Sequence, residues 1–419
     1  MKEEAKPIRD RQEALKNILD DARTAKNAVD LDFSNTEIAF SNKTDKELKR
    51  AYWLFRLMNH PWLVKLSSTM GMLAVKWRLP FAERIVRGTI FEQFCGGTTL
   101  LESQDTINRL YRHQTLTILD YGAEAKSSED DFNITMNETI RALEFAATNA
   151  SVPVVSTKIS GFARFGLLEK FQSDTPLSEA EKEEHERVLK RIDSICYVAS
   201  QKGVSVFFDA EESWIQDSID FLVNKMMARY NKNRVVVYNT FQMYRKDRLQ
   251  FLMDSFNAAQ EGNYLLGAKL VRGAYMDKER DRAARMEYPS PIHDSKEATD
   301  DSFDTGIRLC VDNYEKIASC NASHNAQSAK LQAELIHERG LPKNHPHLNF
   351  CQLMGMSDNL TFNLAEAGYN VAKYVPYGPV REVLPYLVRR AEENSSVTGD
   401  MSRELKYITQ ELRRRGLQS

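Results

Sequence analysis

Glycine-rich phosphate loops are missing from this chain. It contains neither GxGxxG nor GxxxxGK[ST], so neither a Rossmann dinucleotide site nor a P-loop is supported. HExxH and GxSxG are absent as well, which removes the common zinc-hydrolase and serine-hydrolase arrangements. His345 and His347, in Asn344-His345-Pro346-His347, read as loop residues, and no metal is expected. Cysteine is scarce: Cys95, Cys196, Cys310, Cys320 and Cys351 are odd in number and scattered, with no CxxC pair. They read as reduced, intracellular thiols rather than a disulfide framework. No run approaches the ~18 apolar residues of a membrane span. The nearest, Trp62 to Val86, is broken by Lys65, Lys76, Arg78, Glu83 and Arg84 and reads as a buried helical layer, with peripheral membrane contact as the alternative. The start, Met1-Lys2-Glu3-Glu4-Ala5-Lys6, has no apolar signal-peptide core, and its acids argue against a transit peptide, so a cytoplasmic location is expected. A strong charge of one sign is lacking too: the net −2 supplies no global field for nucleic acid or an anionic membrane. Locally, Arg413-Arg414-Arg415 reads as a solvated helix end.

What remains is an ordinary globular composition, 42% hydrophobic and 28% charged over 419 residues, enough for one large core plus a smaller appendage. From Lys6 to about His113 the apolar spacing is helical, with breaks at Asn59-His60-Pro61 and at Pro80. The texture then switches to short β-rich runs alternating with amphipathic stretches. The runs are Thr115–Glu124, Val154–Ser160, Val204–Ala210, Val235–Gln242, Gly267–Gly273, Ile317–His324, Leu348–Gly355 and Val371–Pro376. Segments such as Glu179 to Gln201 and Trp214 to Tyr230 are long enough for crossover helices, so the sheet is expected to be parallel. Eight units point to a closed (βα)8 barrel, of the α/β class, over 115–419, preceded by a helical region over 1–114.

In such barrels chemistry sits where strands end. The ends of these runs carry Asp120 and Glu124, Lys158 and Ser160, Asp209 and Ala210, Gln242, Lys269 with Arg272-Gly273-Ala274-Tyr275, and His324-Asn325. Singly each is an ordinary loop residue; their convergence on one rim is the informative part. After the eighth run, Tyr386, Arg389, Arg390 and Glu393 fall at i, i+3, i+4 and i+7 and share a helix face, while Leu384, Leu387, Val388 and Ala391 form an apolar one. The polar stripe is either a solvated face or a carboxylate site. Adjacent guanidinium groups beside a tyrosine suit the latter, because each offers a rigid bidentate fork.

The segments Lys269-Leu270-Val271-Arg272-Gly273-Ala274-Tyr275, Tyr374-Val375-Pro376-Tyr377-Gly378 and Tyr386-Leu387-Val388-Arg389-Arg390-Ala391-Glu392-Glu393 resemble the proline dehydrogenase family, in its monofunctional form, over roughly 115 to 395. The resemblance implies a distorted (βα)8 barrel with its last helix over the C-terminal ends of the strands. It implies FAD-dependent oxidation of L-proline to Δ1-pyrroline-5-carboxylate, a quinone acceptor and peripheral contact at the inner face of a membrane. By position, Arg389 and Arg390 would bind the proline carboxylate, assisted by Lys158. Tyr275, Leu353, Tyr374 and Tyr386 would wall the ring, Glu124 would pair with Arg389, and Glu393 would steady the helix face. Asp209 and Lys269 would be the catalytic pair, Asp209 by organising the site. Ala210, Gln242, Lys269, Arg272, Gly273, Ala274, His324 and Asn325 would contact the flavin, and Lys296 would reach its phosphates. Lys269 departs from the arginine of some bacterial members. The alternatives are hydroxyproline oxidation on the same scaffold, which Tyr374 should crowd, and a non-catalytic amino-acid-binding barrel.

Overall fold

Each of the eight apolar runs becomes a strand: β1 (Leu116–Tyr121), β2 (Val154–Lys158), β3 (Ser205–Asp209), β4 (Val237–Gln242), β5 (Leu266–Val271), β6 (Ile317–Ala322), β7 (Leu348–Leu353) and β8 (Val371–Tyr377). The computed structural model describes residues 29, 31–122, 127–173, 175–396 and 400–418. Every strand pairs in parallel with its sequence neighbours, and β1 also pairs with β8, Ile118 lying opposite Tyr374, so the sheet closes into a barrel in the order β1 to β8. Seven of the strands are shorter than their runs, and β8 extends one residue further, to Tyr377. Ser160, for example, falls in a 3₁₀ turn after β2, because pairing ends at the rim and the polar residues beyond turn away.

Helices on the outside seal the apolar outer faces of the strands. Glu179–Lys202 shows how the sequence sets their limits: Ser178 and Glu181 form a reciprocal capping box, and Gly203 ends the helix at φ +76°. Ile192, Ile195 and Ala199 from that helix join Val206, Phe208 and Phe241 in the main core. The barrel interior is a packed plug rather than a pore: Ile118, Phe207, Tyr238, Cys320, Cys351 and Tyr374 fill it.

A second core lies where the first helices meet the last two. Phe40 and Leu48 pack with Phe55 and Phe94, and with Leu387 of helix Val380–Ser396 and Ile408 of helix Asp400–Arg414. Arg415 ties this junction, donating to Asp45 Oδ1 (2.9 Å) and to the Phe40 carbonyl (2.9 Å). With Arg414 it also bonds Glu411, so these two residues brace the helix end instead of being merely solvated. The expected buried layer at Trp62 to Val86 is corrected: Trp62 is 66% exposed and Trp77 67%. Among the described residues, helix Pro61–Lys76 packs mainly on helix Val380–Ser396, with lesser contacts to helices Asp45–Met58 and Ala82–Val86, and buries only the edge turned towards them.

Candidate active site

Alternation along parallel strands aims Asp209, Lys269 and Tyr374 into the same upper end of the barrel. Lys269 Nζ donates to Asp209 Oδ1 at 2.6 Å, Tyr374 Oη donates to Oδ2 at 2.7 Å, and Ser156 Oγ donates to Oδ1 at 2.9 Å. Burial alone would push the Asp209 carboxyl up, but Lys269, Lys158 and the Tyr374 hydroxyl together hold it below its ordinary value, so a fixed anion sits at the centre. The Lys269 ammonium lies 4.9 Å from the Tyr374 ring centroid, which holds cation and ring as one unit. Asp120, on β1, behaves oppositely: burial and then the neighbouring Asp209 charge raise it to about 7. Leu353 pairs in register with Tyr374 and packs in the same interior cluster.

The wall above this floor is polar. Ser160 donates its backbone N–H to Glu211 Oε1 at 3.0 Å and its hydroxyl to the same carboxylate, and Gln242 Nε2 donates to the Glu211 carbonyl at 2.7 Å. Burial lifts the Tyr275 hydroxyl well above its ordinary range, while the charges of Lys158 and Arg389 both act on it in the opposite sense. Lys158, Tyr275 and Arg389 therefore share one neighbourhood, although they come from β2, the loop after β5 and the last barrel helix. Arg390 lies 5.4 Å over the Tyr386 ring, and its charge reaches His324, which burial and then Arg390 and Lys373 hold far below the usual imidazole value. His324 is thus neutral, with Nδ1 2.8 Å from Ser357 Oγ.

Cofactor candidates cluster after β5 and β6. Arg272 donates from Nε to Asp300 (2.7 Å), from Nη1 to Ser323 Oγ (2.5 Å) and from Nη2 to Ser328 Oγ (2.9 Å), stacked 4.3 Å over Phe303. Lys296 joins it through the same Asp300. Gly273 adopts φ +142°, and a Cβ there would lie 2.4 Å from the Tyr244 ring, so no other residue fits. Gly273 and Ala274 are exposed at the rim, Ala210 is buried, and Asn325 Oδ1 caps helix Ala326–Glu338. Glu124 and the side chain of Glu393 lie outside the described residues.

Sequence reasoning missed a buried ionic group beside this site. Lys373 on β8 bonds Asp358 (2.8 Å) and the carbonyls of Leu353 and Met356; Lys43 reaches the same aspartate at 3.2 Å. Ser357, at φ +48°, donates its N–H to Glu404 Oε1 at 2.7 Å. A lysine inside an apolar strand was the one signal in the sequence. Glu404, Glu211 and Asp120 give a pH prediction. Burial raises Glu404 from 4.5 to about 7, so between those values the native state holds a proton that the unfolded chain has lost. Stability contributed by such a group is present below the unfolded value and lost as pH rises through about 7. Glu404's share of the melting temperature should therefore fall from pH 5 to pH 8, against an opposite slope from His324, whose depressed value makes stability rise with pH through the ordinary imidazole range. Glu404→Gln, which keeps the acceptor, should flatten that fall by up to about 3 kcal/mol; identical slopes for both proteins would place the titration elsewhere.

A larger open cleft of about 1070 Å³ lies between the Arg87–Phe91 turn and helix Leu100–Arg112 and contains none of these groups. The site described instead pairs a cationic mouth, from Arg389, Arg390 and Lys158, with a fixed carboxylate and aromatic walls. That arrangement suits a small zwitterion carrying both a carboxylate and an amine.

The family model described as proline dehydrogenase matches residues 103–403. "Proline dehydrogenase 1, mitochondrial" of Drosophila melanogaster is 38% identical over 56% of this chain and 36% of its own length, so this chain spans about a third of that relative. "Hydroxyproline dehydrogenase" of Xenopus laevis is 31% identical over 92% of this chain and 90% of its own. Among solved structures, proline utilization A from Bdellovibrio bacteriovorus superposes with a TM-score of 0.68 at 20% identity, covering 91% of this chain and 39% of that one. At that identity the likeness bears on the fold.

Proposed function

The chain belongs to the proline dehydrogenase family, and from that premise we propose that it oxidises L-proline to Δ1-pyrroline-5-carboxylate with FAD, passing the electrons to a quinone at a membrane it touches peripherally. The observation that carries this reading is the Asp209–Lys269–Tyr374 unit at the upper end of the barrel, with Lys158 and Arg389 both near enough for their charges to act on Tyr275. Arg389 and Arg390 bind the carboxylate, with Lys158 assisting, and Tyr275, Leu353, Tyr374 and Tyr386 exclude water from the ring. Asp209, kept ionised, orients Lys269 and Tyr374, and Asp120, at about 7, is placed to exchange a proton near neutral pH.

The donor set after β4, β5 and β6 fits a flavin dinucleotide in chemistry. Gln242, Lys269, His324 and Asn325 offer polar groups for the ring system, Arg272 and Lys296 offer charge for phosphates, and the exposed Gly273-Ala274 backbone permits close approach. Bound there, FAD would supply the two-electron acceptor for a hydride. The helical region over 1–114 would cover the barrel over 115–419.

Hydroxyproline is the second reading, favoured by the Xenopus relative. Tyr374 weighs against it: the phenol is 5% exposed and tied to Asp209, so it cannot swing aside for a 4-hydroxyl. The purified protein is expected to be yellow and to bleach on addition of L-proline, with kcat/KM for proline ~10-fold or more above that for 4-hydroxyproline. A colourless protein that FAD cannot reconstitute would sink the proposal; a reversed preference would exchange the substrates.

A further inference from the structure

Helix Pro61–Lys76 buries one narrow edge, Val64, Ser68 and Val75, the last beside Leu384 and Val388 of the arginine-bearing helix. The opposite side repeats Trp62, Leu66, Met70, Leu73 and Trp77 at i, i+4, i+8, i+11 and i+15, each between 41% and 67% exposed. Trp53 and Leu57 are exposed on the contacting helix Asp45–Met58, and Phe81 and Ile85 beyond Pro80, so the apolar exposure continues along the chain on both sides. Of twenty large apolar side chains exposed among the described residues, eleven lie between Trp53 and Ile85, so this is a concentration and not scatter. Arg78 (φ +55°) and Phe81 (φ +67°) both hold left-handed backbone, and Phe81 is 69% exposed. That conformation costs ~1 kcal/mol or more for a bulky residue and gains little burial among the described residues.

Charge decides the occupant. From Tyr52 to Gly88 the sequence has six basic residues, Arg56, Lys65, Lys76, Arg78, Arg84 and Arg87, against the single acid Glu83, a net +5 in a chain of net −2. A cleft of about 280 Å³ beside the apolar face is lined by Arg78, Arg84 and Arg381 with Phe81 and Glu83, guanidinium groups directly bordering an aromatic ring. Three of the four tryptophans of the chain, Trp53, Trp62 and Trp77, are exposed in this segment. Tryptophan favours the headgroup level of a bilayer, where an apolar ring and a polar N–H are both satisfied. A second copy of this chain, docking face to face, would set the same positive charges against each other. No helix among the described residues is long and apolar enough to cross a membrane, so contact of this kind lies in the interfacial plane.

We infer that the face bearing Trp53, Trp62, Leu66, Trp77, Phe81 and Ile85 docks in plane onto an anionic lipid bilayer, with Arg78 and Arg84 on headgroup phosphates. The inference deepens the membrane contact named with the quinone reading, yet it rests on this face alone. Since helix Pro61–Lys76 packs on the helix carrying Arg389 and Arg390, docking sets the bilayer one helix away from the mouth of the barrel.

The test needs neither proline nor an electron acceptor, so its failure is distinct from failure of the proline reading. The full chain is co-sedimented with vesicles of phosphatidylcholine alone and of phosphatidylcholine mixed with phosphatidylglycerol. Binding to the mixed vesicles, weakening as salt rises and accompanied by a blue shift of tryptophan emission, is the expected result. Leu66→Glu and Trp77→Glu should each reduce binding ~10-fold or more while melting unchanged, because both side chains already face water. Arg78→Glu with Arg84→Glu should remove the preference for the anionic vesicles. Protein left in the supernatant with both vesicle types would overturn the inference. A dimer dispersed by Leu66→Glu, without vesicle binding, would overturn it in favour of a second copy.

Discussion

Arg389→Met and Arg390→Met are each expected to raise KM for L-proline by about 30-fold to several thousand-fold, with kcat falling less. Methionine keeps the apolar stem and deletes the planar fork, so the loss isolates the carboxylate contact. Removing one partner of a desolvated charge pair costs ~2–5 kcal/mol, which converts to that range at about 1.4 kcal/mol per tenfold. The two variants should differ in their secondary effects. Arg389 acts on Tyr275, so its loss should disturb ring binding as well. Arg390 lies over Tyr386 and bears on His324, so its loss should relax the depressed imidazole and loosen the cofactor side. Lysine at either position restores charge without the fork and should fall between. Steady-state kinetics decide the matter: an unchanged KM in both methionine variants would move the carboxylate elsewhere.

Lys373→Met should destabilise the protein by ~3–5 kcal/mol, a large part of what holds a domain folded. Burial alone would raise the Asp358 carboxyl, but Lys373 and Lys43 together hold it at about 2. Removing Lys373 leaves a buried anion with its more distant partner only, and frees the carbonyls of Leu353 and Met356 from their donor. Urea denaturation at neutral pH measures the loss. Lys373→Met with Asp358→Asn should recover part of it, since no uncompensated charge remains; a single-variant loss below ~1 kcal/mol would mean that the group relaxes into water.

The pairing of Lys373 with Asp358 also shows what the sequence could and could not convey. The eight strands were legible because each crosses a two-sided apolar environment, and that requirement appears as a continuous run such as Val371-Ala372 or Ile317-Ala318. Strand ends carrying Lys158, Asp209, Lys269 and His324 were legible because the barrel itself says where chemistry gathers. The Lys269–Asp209 bond was not, since the two residues sit on β5 and β3 and meet only through the interior. Lys373 stands in the sequence as a single charge inside an apolar strand, and its partners come from a helix after β7 and from Lys43. The stretch from Trp62 was misread for a related reason: apolar periodicity reports that a face avoids water, and not whether protein covers it. Here the described residues cover only the Val64–Val75 edge.

The closure of the sheet has a consequence for how the molecule is made. β1 emerges early, yet one of its two partners is β8, and Leu116 finds Ala372 only after every other strand has been synthesised. Until then a growing half-barrel presents an open edge and the polar interior around Asp209 to water. Contacts so distant in sequence slow folding and lengthen exposure to aggregation. Production of this protein should therefore gain more from slower synthesis and chaperone capacity than from substitutions on its surface.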